Sequence, residues 1–448
     1  MSVDVRQQLD RLAQDAPTGG PPSDLWQRGV RRRRRRLAGG AAACVLAVLV
    51  GGGLAGTVVA LAPTPTVVPA AGDGAAIPDR LVQPDPWTAG TDRKGPPGRL
   101  AVVAGAARKS GILGTARDGL VGVTAARGEY RFLDLQGALA DSTGMLGTDQ
   151  PVALSPDGRQ VAYWRGADGC DAADCAATGI AAYDTASGRV RSQDFPSPQG
   201  LAPESLSWVS DDTVLVRYGV ITHRDASSMS TDLGPSRLWT PRTGGLSKLA
   251  NSLDNVDRVS PTADGFTSWN GHRLTLWTTT GTSYTSRTVR VTGLDPQAPL
   301  GSLAVSPDGS RVVLVSEQGS QPSQLYVGRL TEQSTRLTVT SLGTRAVASS
   351  VVGWRDVDHV LVQAAVGSRS GVYAVDATTG VTEPAVDVPE LNYTPGQVYA
   401  TDLWGVPTLT RPGPPDVLDP QAASAGGVVL AVVLLLVAAR VRRRRVLG

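Results

Sequence analysis

Histidine, cysteine, phenylalanine and methionine each occur only three times in 448 residues. His223, His272 and His359 are too far apart in sequence, and too far from any cysteine, to share a ligand motif, so no metal site is expected. The G-x-S-x-G elbow of serine hydrolases is missing. So is the alternation of strands with helices that such a catalytic domain would need. P-loop and dinucleotide fingerprints are absent as well, and with them any reason to expect a nucleotide cofactor. Catalytic, cofactor-binding and metal residues are therefore all assigned as none, and the chain is not expected to be an enzyme.

Lysine is scarce too, and arginine carries almost all the positive charge. The net charge of +3 and pI near 8.8 are unevenly placed. Arg31, Arg32, Arg33, Arg34, Arg35 and Arg36 form one block, and Arg442, Arg443, Arg444 and Arg445 another. With both ends set aside, acidic residues outnumber basic ones in the middle of the chain. Nucleic-acid binding is excluded on that ground, because counterion release needs clustered cations on the part that docks. The preference for arginine, alanine, glycine and valine, all with G+C-rich codons, points to a high-G+C bacterial source.

Two long apolar runs stand beside the arginine blocks. Residues 37–62 are uncharged, and about 26 residues of helix cross a bilayer core with some tilt. Residues 422–439 supply about 18 more, near the lower limit for a span. Arginine beside a span resists translocation, so both ends are expected in the cytoplasm and residues 63–421 outside a bacterial plasma membrane. A cleaved signal peptide is the competing reading, since Ala60-Leu61-Ala62 resembles an A-x-A site, but Pro63 disfavours cleavage and the run is too long for a signal core. Cys44 sits too early in the run for a lipoprotein acceptor. Gly52 and Gly56 form a G-x-x-x-G pair in a run already rich in glycine.

Before the first run, Val5, Leu9, Leu12 and Ala16 recur at helical spacing between Asp4 and Pro17. One short amphipathic helix is expected, marginal on its own in water. Residues 18–25 and the arginine block resemble the cytoplasmic tails of membrane proteins that accompany extracytoplasmic-function sigma factors. That resemblance implies a cytoplasmic regulator bound at residues 1–36. No histidine or cysteine precedes Cys44, so a zinc-type anti-sigma domain is excluded.

The segmentation that follows is a tail over 1–36, a span over 37–62, a proline-rich spacer over 63–97, an external domain over 98–408, a linker over 409–421, a span over 422–439 and a basic tail over 440–448. The external domain reads as short β-type runs, such as Leu100-Ala101-Val102-Val103 and Val312-Val313-Leu314-Val315, broken by Asp-Gly, Ser-Gly and Thr-Gly turns. Ser155-Pro156-Asp157-Gly158 precedes Val161-Ala162-Tyr163, and Ser306-Pro307-Asp308-Gly309 precedes Val312-Val313-Leu314. Weaker copies stand at Asp118-Gly119, Ser210-Asp211-Asp212, Ala263-Asp264-Gly265 and Asp356-Val357-Asp358, with aspartates roughly 39 to 54 residues apart. A second signature, an aromatic residue followed by a turn, recurs at Tyr183-Asp184 with Gly188, at Tyr373 with Gly380, at Trp239 with Gly244 and at Trp277 with Gly281.

Each unit holds enough chain for four short strands, and radial stacking would bury both faces of each small sheet. These motifs resemble TolB-like and WD-type propeller repeats, in which S-P-D-G forms the hairpin leading into a blade strand. The resemblance covers about 300 residues and implies an all-β fold, a β-propeller of six blades, with seven as the alternative. Trp208 and Trp354 precede equivalent strands and are expected to pack rather than to stack on a ligand.

Cys170 and Cys175, in an acidic loop on the side assigned to an oxidising compartment, are expected to form a local disulfide. Asp168, Asp171 and Asp174 around them lack the spacing of a calcium loop. Apart from the lipid bilayer, the expected partner is an extracytoplasmic protein or glycan, bound by loops at one mouth of the central channel. Relay of that binding to a cytoplasmic regulator, or hydrolysis or elimination of an envelope glycan, are the alternatives.

Overall fold

The computed structural model describes residues 74–110, 114–139, 152–166, 176–224, 229–249, 258–280, 283–295, 299–318, 321–344, 346–367, 369–388, 397–411, 413–414, 433–436, 438 and 440. Pro65–Val417 form one compact unit. Toward the C-terminus, residues 433–436, 438 and 440 are helical and exposed. Among the described residues no helix is long and apolar enough to cross a membrane. Residues 37–62 and most of 422–439 lie outside them, as do Cys170, Cys175 and the terminal tail at 1–36.

The compact unit is built from antiparallel meanders, in a propeller-like all-β arrangement. β1 (Leu100–Ser110), β2 (Thr115–Thr124) and β3 (Tyr130–Leu133) come first, followed by β4 (Val152–Leu154), β5 (Gln160–Gly166), β6 (Ala177–Asp184) and β7 (Val190–Asp194). Next are β8 (Leu201–Trp208) and β9 (Val214–Arg224), whose far half carries β10 (Met229–Leu233), and then β11 (Arg237–Thr240) and β12 (Gly245–Lys248). β13 (Arg258–Thr262), β14 (Gly265–Asn270), β15 (Arg273–Thr280) and β16 (Ser283–Thr292) form another meander, and β17 (Leu300–Val305), β18 (Arg311–Gln318), β19 (Gln321–Arg329) and β20 (Arg336–Ser341) the one after it. β21 (Val347–Trp354), β22 (His359–Val366), β23 (Arg369–Asp376) and β24 (Thr382–Asp387) complete the series. The chain then returns: β25 (Val398–Tyr399) pairs with β1, Val102 opposite Tyr399 and Val103 opposite Val398.

Strands that read as continuous apolar runs are buried on both faces. Val312, Val313, Leu314 and Val315 are all fully buried, because a neighbouring sheet covers each side. Ala162, Trp164 and Ile180 meet Leu206, Trp208 and Val216 of the next meander in one core cluster. Leu274, Val289 and Val291 meet Val312, Leu314 and Leu337 in another. Cores between sheets, rather than one central core, are what radial stacking requires. The leading strands touch in turn, from β25 to β4, β8, β13, β17 and β21, and the 3-10 turn Thr401–Gly405 after β25 meets β21. The ring is thus closed by the C-terminal end of the unit.

Two expectations change. Residues 63–97 were expected as an extended spacer, yet their described part is packed. Ala76, Ile77 and Leu81 are buried, with Leu81 N donating to Asp387 O at 2.9 Å and Asp79 N to Leu409 O at 3.1 Å. Apolar residues placed between the prolines fill the seam between the first and last sheets. Asp118-Gly119, expected as a turn, lies inside β2. Its meander takes its leading strand from β25, so the corresponding turn is split between the two ends of the chain.

Candidate functional site

The S-P-D-G turns spend their polar side chains on themselves. Ser155 Oγ donates to Asp157 Oδ1 at 2.6 Å and accepts from Gln160 N at 2.9 Å, while Gly158 N donates to Ser155 O at 2.8 Å. Ser306, Asp308 and Gly309 repeat this, with Ser306 Oγ donating to Asp308 Oδ1 at 2.6 Å. Hydrogen bonds from Ser306 and Ser310 hold the Asp308 carboxyl below its ordinary range. Pro156 and Pro307 set the backbone of the turn, and Gly158 and Gly309 close it at φ 74° and 71°. These eight residues shape the fold and leave little side chain for a ligand.

Their placement matters more than their chemistry. Each leading strand runs toward the same end of the ring, where its end or its following turn borders a cavity of about 530 Å³. Pro156, Asp211, Thr262, Pro307, Trp354 and Asp402, one from each meander, line it. Val259, Leu303, Val305 and Val351 add apolar wall. A wider depression of about 1030 Å³ runs beside β23 and β24 but draws its lining almost wholly from that one sheet.

Two carboxylates, Asp211 and Asp402, line the axial cavity, with Asp157 of a third meander beside them. Asp157 N donates to Asp211 Oδ1 at 3.1 Å, and Asp402 N donates to Pro156 O at 3.1 Å. Partial burial, and after it the charge of Asp157, raises the Asp211 carboxyl above the usual value. Asp402 is raised for the same reasons, burial first and then the negative charges of Asp211 and Asp157. Arg99, whose Nε donates to Asp157 O at 2.6 Å, offsets part of this. The arrangement favours a cation: a positive group between Asp211 and Asp402 would relieve their mutual repulsion.

Trp208 and Trp354 end equivalent strands. Trp208 Nε1 donates to Ala153 O of the preceding leading strand at 3.0 Å, whereas the indole N–H of Trp354, a residue 7% exposed, has no acceptor among the described residues. His359 opens β22, its Nδ1 2.8 Å from Asp356 Oδ1 of the preceding turn. Among the described residues no group of three or more His, Cys, Asp or Glu side chains is placed to hold a metal. Sequence reasoning met Asp211 only as part of a degenerate turn and missed Asp402 altogether. Thr401-Asp402 carries no repeat motif, and only the closure of the ring brings it beside Asp157.

No family model and no curated protein matches the chain. Solved structures similar to it include TolB from Acinetobacter baumannii, at 15% identity and TM-score 0.36 over 66% of this chain and 68% of that one. Dipeptidyl peptidase 4 from Porphyromonas gingivalis is 12% identical with a TM-score of 0.34, over 60% of this chain and 42% of the peptidase, less than half its length. An oligogalacturonate lyase in complex with manganese is 11% identical with a TM-score of 0.37, over 70% and 78%. The strand pairing within this chain, not these distant likenesses, defines its architecture.

Proposed function

We propose that the chain is a six-bladed β-propeller carried outside a bacterial plasma membrane between two spans, and that it binds, without catalysis, a cationic group of an extracytoplasmic protein or glycan ligand in its axial cavity. The blades are led by β25, β4, β8, β13, β17 and β21. The observation that carries the binding reading is convergence: leading-strand ends or turns from every meander border one cavity, with Asp211 and Asp402 together on its wall.

Anchoring at both ends is supported by a clasp between the residues that follow the first apolar run and those that precede the second. Asp79 N donates to Leu409 O, Leu409 N to Ile77 O at 3.1 Å, and Thr410 Oγ1 to Asp79 Oδ2. Arg411 Nη2 reaches Gly74 O at 3.1 Å. A ligand cation gains most when both carboxyls are ionised, so binding should strengthen as pH rises past their raised values.

A photoreactive amino acid at Thr262, inside the cavity, tests this in intact cells against one at Thr231 on the exposed β10. We expect an adduct at position 262 that is lost when Asp211 and Asp402 are both changed to Asn. Equal adducts at both positions, or one indifferent to the aspartates, would remove the cavity as the site.

A further inference from the structure

The outer edge of the ring carries a feature that the cavity does not explain. β16 and β20 are the last strands of successive meanders, and they pair in parallel, Arg290 opposite Arg336 and Thr292 opposite Thr338. This joins two meanders into one continuous eight-stranded sheet. On the other side of β16, Arg273 of β15 stands opposite Arg290. Three arginines therefore form one transverse row across β15, β16 and β20.

All three are exposed, and among the described residues none of their guanidinium groups forms an ion pair or hydrogen bond; their backbones stay in the ladder, Arg290 N donating to Thr335 O at 3.0 Å. Their strand neighbours Leu274, Val289, Val291 and Leu337 point the other way into the core, so the row belongs to the solvent face. Pairs of threonines flank it: Thr292 and Thr338 have their hydroxyls 3.3 Å apart on one side, and Thr275 and Thr288 theirs at 3.3 Å on the other. β15, β16 and β20 contain no aspartate or glutamate. Arg329, also exposed, follows Gly328, which pairs with Val339, and so falls opposite Thr338 and extends the patch.

Like charges directly opposite one another destabilise a sheet, and elsewhere this chain gives its partly buried arginines partners. Arg108 meets Asp92 at 2.9 Å, Arg217 meets Glu204 at 2.9 Å and Arg311 meets Asp358 at 2.9 Å. The row lacks such compensation in a part of the chain that is otherwise acidic. Adjacent strands are about 4.8 Å apart, so the guanidinium groups are set out at regular steps over roughly 10 Å. Guanidinium matches phosphate through paired N–H donors, and a row of such groups matches a chain of phosphates better than a single one.

We propose that the exposed face of β15, β16 and β20 binds a linear phosphate polymer along the row Arg273, Arg290 and Arg336. Charge complementarity commits the face to this occupant, and the binding is separate from that of the axial cavity.

The test is hydrogen exchange on the full chain in uncharged detergent micelles, read in β15, β16 and β20. This local reading keeps binding at the terminal arginine blocks out of the result. Long-chain inorganic polyphosphate should slow exchange in the three strands at least fivefold, and orthophosphate at equal phosphate concentration should not. The protection should fall with added salt as for about three phosphate contacts. It should vanish in the Arg273→Gln, Arg290→Gln, Arg336→Gln variant and return in part with Lys at the same positions. Unchanged exchange in the core strands β5 and β18 would show that the variants are folded.

Protection confined to the termini, equal protection by orthophosphate, or protection that survives the triple Gln change would overturn the proposal. Protection by phosphatidylglycerol vesicles but not by polyphosphate would assign the face to the membrane and overturn it as well.

Discussion

At the scale of the residue, the aspartates of the repeated turn contrast with one that lines the cavity. Asp308 accepts from Ser306 and Ser310 and is held low; Asp402 is pushed high by burial and neighbouring charge. The two should therefore respond to pH with opposite sign. The stabilisation from Asp308 is present above the ordinary aspartate value of about 3.9 and is lost as pH falls through its depressed folded value. Asp308→Asn should lower the melting temperature at neutral pH, and by less in acid. Asp402 stabilises relative to its ionised form below that ordinary value, and the benefit is lost as pH rises through its raised folded value. Asp402→Asn should raise the melting temperature at neutral pH, with the gap closing in acid. Melting curves at pH 7 and pH 3 check both. Two glycines make a second contrast. Gly309 has open space around it, so Gly309→Ala should cost only the left-handed backbone term, about 1 kcal/mol. A Cβ at Gly158 would run into the Leu100 carbonyl, and Gly158→Ala should cost clearly more in a denaturant titration.

Among the elements, the shortest closes the ring. β25 has two residues, but Tyr399 is 4% exposed and packs on Trp404 with ring centroids 5.2 Å apart. The strand contributes backbone pairing to β1 and Ala400 N to Ala101 O at 2.9 Å. Tyr399→Ala should cost about 3–5 kcal/mol, as for other buried aromatics. Hydrogen exchange should show the loss first in β1 and β21, on either side of the seam, and a uniform loss across all sheets would count against a closure role. Repetition made much of this fold legible in the sequence. Ser155-Pro156-Asp157-Gly158 and Ser306-Pro307-Asp308-Gly309 mark the step from a leading strand to the next, and Val312-Val313-Leu314-Val315 shows a strand buried on both faces. Pairing between distant segments was not legible, because nothing in Val398-Tyr399, Ile77 or Thr401-Asp402 repeats anything else. The Arg273, Arg290 and Arg336 row was hidden for the same reason, since its register depends on a parallel contact between different meanders.

For the whole molecule, the proposed function puts an acidic cavity outside the cell, in a ring whose segments at 74–81 and 409–411 are clasped together. Charge is divided by location: arginine blocks at the termini, carboxylates around the axial cavity, and an arginine row, without ion pairs among the described residues, on one outer face. The most direct measurement is the rate at which Thr262→Cys reacts in intact cells with impermeant thiol reagents of opposite charge, taken over the background of the unsubstituted chain. The account predicts that residue 262 is labelled without breaking the cells. It also predicts that the cationic reagent reacts at least fivefold faster than the anionic one, and that Asp211→Asn with Asp402→Asn abolishes the preference. Labelling only after the cells are opened, or equal rates for the two reagents, would contradict it.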